Sequence, residues 1–277
     1  VLLDALDRGL LGRHSARSFM SDRELKANTL MIKRPKEVQF EFPQPPAPYP
    51  PSQRSGALIG PSGVGKTTTA IAMLTGPYRG VYSRVYVFSP SCAPGVDPAW
   101  DAWRKHVREV MRVPDDEQTL WSTWEPEVLE KLVARHAKVN AHMKEKKLKK
   151  GFAALVLVDD FADAGEKVMH NSTNVLTSLF VRGRHLGAAC WLLTQKLRVV
   201  SLICRTNFCW MLVWRLRSAK EREQIFEELS ALLPRRTLER MYDVATAEKH
   251  SFWYINLLNE REEMFFKGFD QRMVVSS

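Results

Sequence analysis

Cysteine is scarce in this 277-residue chain. There are four, Cys92, Cys190, Cys204 and Cys209, and no two form a C-x-x-C pair. That pattern excludes a disulfide framework and a zinc ribbon, and predicts reduced thiols in a reducing compartment. No run of about 18 apolar residues occurs, so neither a membrane-spanning helix nor a membrane partner is expected. The stretch VLLDALDRGLLGRHSARSF at the start is amphipathic and basic, but it lacks the apolar core and cleavage site of a secretory signal. No internal repeat is visible. Acidic residues are also short, 31 against 41 lysines and arginines, for a formal net charge of +10. Such an excess suits a polyanionic partner, and it also suits simple solubility; charge alone does not choose between them.

What is present is an ordinary core. Hydrophobic residues make up 45% of the chain and charged residues 26%, enough for one large α/β domain or two small ones. Residues 1–36 are weakly patterned, with one candidate helix. VQFEF (38–42) alternates like a half-buried strand, and PQPPAPYPP (43–51) reads as a stiff polyproline connector. The domain boundary is expected there, with 1–50 as an N-terminal extension and 51–277 as the main domain.

From residue 56 onward, strands and helices alternate. GALIG (56–60), RVYVFS (84–89), FAALVLV (152–158), GAACWLLTQ (187–195) and NFCWMLVW (207–214) read as buried strands. Helices are predicted over 66–74, 98–111, 125–150, 174–185, 219–233 and 235–247. SFWYINLL (251–258) and EEMFFKGF (262–269) suit a hairpin, and the aromatic stretch suits a core better than a base-stacking platform. The pattern predicts an α/β fold with a mainly parallel sheet flanked by helices, and a C-terminal helical and β-hairpin extension. Seven cationic residues from Lys131 to Lys149 precede Lys150 in the 125–150 helix. Its basic end, Lys144–Lys150, suits a solvated surface more than a polyanion channel.

The segment GPSGVGKT (60–67) matches G-x-x-x-x-G-K-[ST], with an apolar strand before it and a helix after it. Gly60, Gly63 and Gly65 let the backbone turn its N–H groups inward, so Gly60, Pro61, Ser62, Gly63, Val64, Gly65, Lys66, Thr67 and Thr68 form a candidate phosphate cradle. Lys66 supplies a point charge for the β- and γ-phosphates, and the Thr67 hydroxyl a ligand for Mg²⁺. No guanine-reading N-K-x-D occurs, which favours ATP over GTP.

LVLVDD (155–160) ends an apolar strand in two carboxylates. Asp159 suits the water-mediated Mg²⁺ contact, and Asp160 the role of taking a proton from, or orienting, the attacking water. Adjacent carboxylates repel, so a cation nearby is their natural compensation. The stretch RGRHLGAACWLLTQ (182–195) ends a strand on Gln195, which is expected between the cradle strand and the Asp159 strand, as a sensor of the γ-phosphate. Arg182 and Arg184 precede that strand and so lie at the opposite edge from their own nucleotide. They are candidates for an arginine finger supplied to a neighbouring subunit, Arg184 first, Arg182 next and Arg205 third.

These segments together, GPSGVGKTT, VYVFSPS (85–91) followed by a tryptophan-bearing helix, LVLVDDF, RGRHLG, LLTQ and CRTN, resemble the FtsK–HerA group of P-loop ATPases. Within that group the chain is most similar to the poxvirus-type genome-packaging ATPases of large DNA viruses. The likeness covers about residues 54–214. It implies a RecA-like ATPase that forms a homo-oligomeric ring and pumps double-stranded DNA into a preformed capsid. Implied with it are a capsid or portal-type partner, and a location in the host cytoplasm, a viral factory or the nucleus, with virion association also open. Asp160 departs from the glutamate more usual in the wider group. Two other readings share the sequence: a cellular DNA pump or helicase of the same group, and a P-loop kinase or nucleotide-gated scaffold. A kinase would need an arginine-bearing lid and an acceptor pocket, which the sequence does not display.

Overall fold

The run GALI is buried at every position and forms strand β1 (Gly56–Ile59) in the computed structural model, which describes residues 41–161 and 175–274. The apolar runs downstream behave alike. They form β2 (Tyr82–Phe88), β4 (Ala153–Asp159), β5 (Ala188–Thr194) and β6 (Trp210–Trp214), with a two-residue strand β3 (Leu120–Trp121) at the edge. Period-2 alternation sends Ala57 and Ile59 to one face of the sheet and Leu58 to the other. Both faces are covered, which is why these strands read as unbroken apolar runs.

Helices α1 (Lys66–Thr75) and α2 (Pro98–Glu109) cover the face that carries Leu58, Trp191 and Trp210. Pro98 opens α2 and the Asp97 carboxylate caps it by accepting from Ala99 N, so Trp100, Trp103 and Val107 fall on its buried side. Helices α3 (Pro126–Glu145), α4 (Val175–Leu186), α5 (Leu202–Thr206), α6 (Ala219–Leu229) and α7 (Arg235–Ala245) pack on the other face. Helix α3 stops five residues before the expected Lys150, and Lys147 leaves it with φ 58°. The lysines from 144 to 150 are exposed.

Among the described residues nine strands form one sheet in the order β3-β2-β4-β5-β1-β6-β7-β8-β9. The first six are parallel. The expected hairpin exists as β7 (Phe252–Asn256) and β8 (Phe265–Lys267), but it is not a separate appendage. Strand β7 pairs antiparallel with β6, and a short β9 (Gln271–Arg272) follows β8. Trp253, Tyr254 and Ile255 are fully buried, as expected of core residues.

The chain divides into two units, Val1–Val38 and Gln39–Ser277. The candidate N-terminal helix lies outside the described residues, as does most of the strand expected at 38–42; of its described residues, 41 and 42, Glu41 makes one parallel bridge to Lys150. The proline-rich stretch is seated on the sheet domain rather than standing free as a connector. Prolines carry no N–H, so their carbonyls are the groups on offer. Buried tyrosine hydroxyls need acceptors, and this strap supplies them. Tyr78 Oη donates to Pro50 O at 2.5 Å, Tyr82 Oη to Ser52 O at 3.0 Å and Tyr254 Oη to Pro48 O at 2.8 Å. Burial pushes all three hydroxyls above the usual tyrosine range.

Two close approaches fix the layers. Asn140 of α3 holds the start of β4 by accepting from Phe152 N and donating to Phe152 O, both 3.0 Å. At the junction of α4 and β5, a Cβ on Gly183 would come 2.4 Å from the Ala188 carbonyl oxygen. Only glycine lets the helix end so near the strand, and its neighbours Arg182 and Arg184 are left exposed. Gly183→Ala is expected to lower stability by about 2 kcal/mol through overpacking, measured by chemical denaturation; an unchanged midpoint would show that the junction gives way cheaply.

Candidate active site

The cradle follows β1 directly. Gly60 N donates to Thr194 O at 3.1 Å, which aligns its start with the end of β5. Gly63 (φ 78°) and Gly65 (φ 102°) occupy the left-handed region that other residues rarely adopt. Gly65 then serves as the N-cap of α1, so the helix N-terminus and its partial positive charge face the same space. Lys66 is buried, with Nζ donating to Gly60 O (2.8 Å) and Pro61 O (3.0 Å). Loss of hydration pulls the Lys66 ammonium below its usual range, and the charges of Asp159 and Asp160 partly restore it.

Strands β4 and β5 bring the carboxylates and the glutamine alongside. Asp159 ends β4 with 3% exposure. Its Oδ2 accepts from Thr67 Oγ1 at 3.0 Å and from Ser89 Oγ at 3.3 Å. Desolvation raises its pKa to about 6, with the Thr67 hydrogen bond opposing. Successive strand residues point to opposite faces, so Asp160 would ordinarily turn away from Asp159. Instead it takes φ 54°, a left-handed turn that aspartate tolerates better than most residues. Both carboxylates consequently line one cleft. Gln195 Nε2 donates to both Asp160 oxygens, at 2.9 and 2.8 Å.

The cleft measures about 650 Å³ and is lined by cradle residues 62–69, Ser91, Asp97, Asp159, Asp160 and His250. One wall is cationic and rich in N–H groups; the other carries the two carboxylates, with Gln195 bonded to Asp160. That arrangement can bind an anionic phosphate chain and place an oxygen base beside its end. The Thr67 hydroxyl and the Asp159 carboxylate are hard oxygen donors held together at 3.0 Å. A divalent cation there would offset the desolvation of Asp159, so the donor set fits magnesium.

Residues 53–273 match the family model described as Poxvirus A32 protein. The chain belongs to that family. It is therefore an ATPase of the genome-packaging class, and its fold is the mostly parallel α/β arrangement of P-loop ATPases. Among solved structures, the genome packaging NTPase B204 of Sulfolobus turreted icosahedral virus 2 in complex with AMP is 14% identical. That match covers 75% of this chain and 94% of the other, with a TM-score of 0.50. Its complex with ATP-γS gives a TM-score of 0.47 at 14% identity over 74% and 93% of the two chains. EssC of Geobacillus thermodenitrificans matches at 16% identity, TM-score 0.47, over 62% of this chain and 34% of the other. No curated protein matches the chain.

Strand β5 does lie between β1 and β4, so Gln195 stands beside both the cradle and Asp160. The arginines separate from this group. Arg184 is in the last turn of α4, the helix that leads into β5, while Gln195 follows β5; seven strand residues set the two about 20 Å apart. Arg184 and Arg54 both act on the Cys209 thiol at that far end. Arg205 differs from the other two candidates: its side chain is 14% exposed and pairs with Glu228 at 3.4 Å, so it is committed within its own chain.

The sequence reading missed Ser89, Ser91, Asp97 and His250. Ser89 carried a signal, because it directly follows β2, the strand beside β4, and the C-terminal ends of parallel strands face the same crevice. His250 carried none, standing 186 residues from the cradle carbonyl it meets.

Asp160→Asn is expected to bind ATP as the wild type does and to hydrolyse it about 10²-fold or more slowly, the usual contribution of a positioned base. Equilibrium binding and single-turnover hydrolysis separate the two effects, and near-normal turnover would remove Asp160 from the chemistry.

Proposed function

We propose that this chain is the motor that couples Mg²⁺-dependent ATP hydrolysis to movement of double-stranded DNA into a viral capsid, working as a homo-oligomeric ring. The observation that carries this reading is where the candidate residues lie. Lys66, Thr67, Asp159, Asp160 and Gln195 meet at one end of the sheet, whereas the exposed Arg182 and Arg184 stand at the other. One protomer cannot bring the two ends together, but a neighbour can. Val181, Leu202 and Ile203 are exposed apolar residues on α4 and α5 at the arginine end, which suits a subunit contact. The net charge of +10 suits a DNA substrate. The B204 structures are of a genome packaging NTPase, and that role is carried to this chain as part of the proposal.

In this reading the cradle N–H groups and Lys66 bind the phosphate chain of ATP. Thr67 and Asp159 would hold a magnesium ion, which when bound supplies positive charge against the phosphate oxygens. Gln195 trades its hydrogen bonds to Asp160 for the γ-phosphate, and Asp160 is released to orient the attacking water. Arg184 of the adjacent protomer, with Arg182 beside it, stabilises the charge that develops on transfer, an effect worth about 10³–10⁵ in rate. The motor is assigned to residues 51–277, with 1–50 as an extension whose proline-rich end packs on the motor, a capsid or portal-type protein as docking partner, and a cytoplasmic viral factory as its place of work.

Duplex DNA is expected to stimulate ATP hydrolysis, with the DNA affinity falling steeply as salt rises because phosphate contacts release counterions. Hydrolysis indifferent to DNA at every salt concentration would sink the translocase reading. Arg184→Ala and Asp160→Asn, each close to inactive alone, should recover part of the wild-type rate when mixed. Absence of recovery, with both proteins assembled, would mean that the arginine does not act across subunits.

A further inference from the structure

One peptide of the phosphate cradle is held by a side chain from a distant part of the sequence. The Val64 carbonyl accepts a hydrogen bond from His250 Nδ1 at 3.1 Å. In a trans peptide the C=O and the following N–H point in opposite directions. A donor that fixes the Val64 C=O thus fixes the Gly65 N–H in the opposite direction, and amides of this loop are the groups that meet the phosphates in a P-loop. Gly65 needs such a tie: at φ 102° it has no side chain to restrict its own rotation.

His250 is built for a fixed position. It adopts φ 66°, a conformation uncommon outside glycine. Its carbonyl accepts from Trp214 Nε1 at 3.1 Å, and Trp214 itself closes on the cradle, with its Cβ 2.9 Å from where a Gly60 Cβ would stand. Two residues earlier, Glu248 accepts from Lys267 Nζ at 2.5 Å, and Glu248 O accepts from Ser251 N at 3.2 Å. The histidine is on an exposed loop, yet it is anchored to β6 on one side and β8 on the other. A non-glycine residue kept in a costly conformation beside a ligand cleft indicates a purpose other than packing.

We propose that His250 is a positioning residue for the β-phosphate, acting through the Val64–Gly65 peptide, and that it makes the C-terminal antiparallel extension part of the nucleotide site. The inference rests on nucleotide binding at the P-loop and is independent of DNA translocation and of ring assembly. The selectivity is chemical: AMP has no β-phosphate, whereas ADP and pyrophosphate both place a phosphate in the cradle.

Binding of AMP, ADP and pyrophosphate to the full chain is compared by calorimetry for wild type, His250→Ala and His250→Asn. His250→Ala is expected to weaken ADP and pyrophosphate about tenfold, because the Gly65 N–H is no longer held in place for the β-phosphate, while AMP affinity stays within about twofold. Asparagine carries an N–H donor at the same remove from Cβ as Nδ1 and tolerates positive φ, so His250→Asn should recover most of the ADP affinity. It also keeps the comparison readable if the alanine variant folds poorly. An equal loss for AMP and ADP, no loss for either, or no recovery with asparagine would overturn the assignment. Wild-type chain that binds no ADP would remove the nucleotide reading itself, a different failure.

Discussion

A parallel sheet covered on both faces can present polar side chains only where its strands end. That constraint governs the site. Along β1, β4, β5 and β6 every position is buried, so hydrogen-bonding and charged groups collect at the C-terminal ends. There the cradle, Asp159, Asp160, Gln195 and Ser89 lie side by side because their strands are neighbours or near neighbours in the sheet. The same covering expels water from Asp159 and Lys66. Desolvation lifts the carboxylate to about 6, opposed first by the Thr67 hydrogen bond and then by the Lys66 charge, and it lowers the ammonium, opposed by the charges of Asp159 and Asp160. Buried opposite charges of this kind are costly to maintain and ready to accept a compensating ligand.

Covering also explains the arginines. With the interior reserved for apolar contacts, cations remain at the rim, and Gly183 brings α4 so near β5 that Arg182 and Arg184 are turned outward. Their distance from Gln195 follows from the length of one strand. If Arg184 acts as proposed, a site that binds at one end of the sheet and donates from the other would be complete only between copies. Arg205, with the same sequence credentials as a strand-preceding arginine, is withdrawn by its pairing with Glu228.

Much of this was legible beforehand, for definite reasons. The GPSGVGKT spacing has few structural solutions, since glycine at 63 and 65 permits the left-handed turns that the cradle uses. LVLVDD announced a buried strand with carboxylates at its end. The position of β5 between β1 and β4 was expected from Gln195 and is present. Other features had no local signature. The left-handed turn at Asp160 looks like any strand continuation in sequence. The proline-rich stretch reads as a spacer until the buried hydroxyls of Tyr78, Tyr82 and Tyr254 are seen to need its carbonyls. Strands β3 and β9, two residues each, are too short to carry a period.

The sequence by itself determined the phosphate cradle, the strand–helix alternation and the identity of the acids and the glutamine, because each depends on contacts between residues close along the chain. Only the tertiary structure decided that β7 and β8 extend the main sheet, that Arg205 is internally paired, and that His250 reaches Val64. Those outcomes depend on which distant segments share a sheet edge or a helix face, and periodicity and spacing carry no information about such pairings.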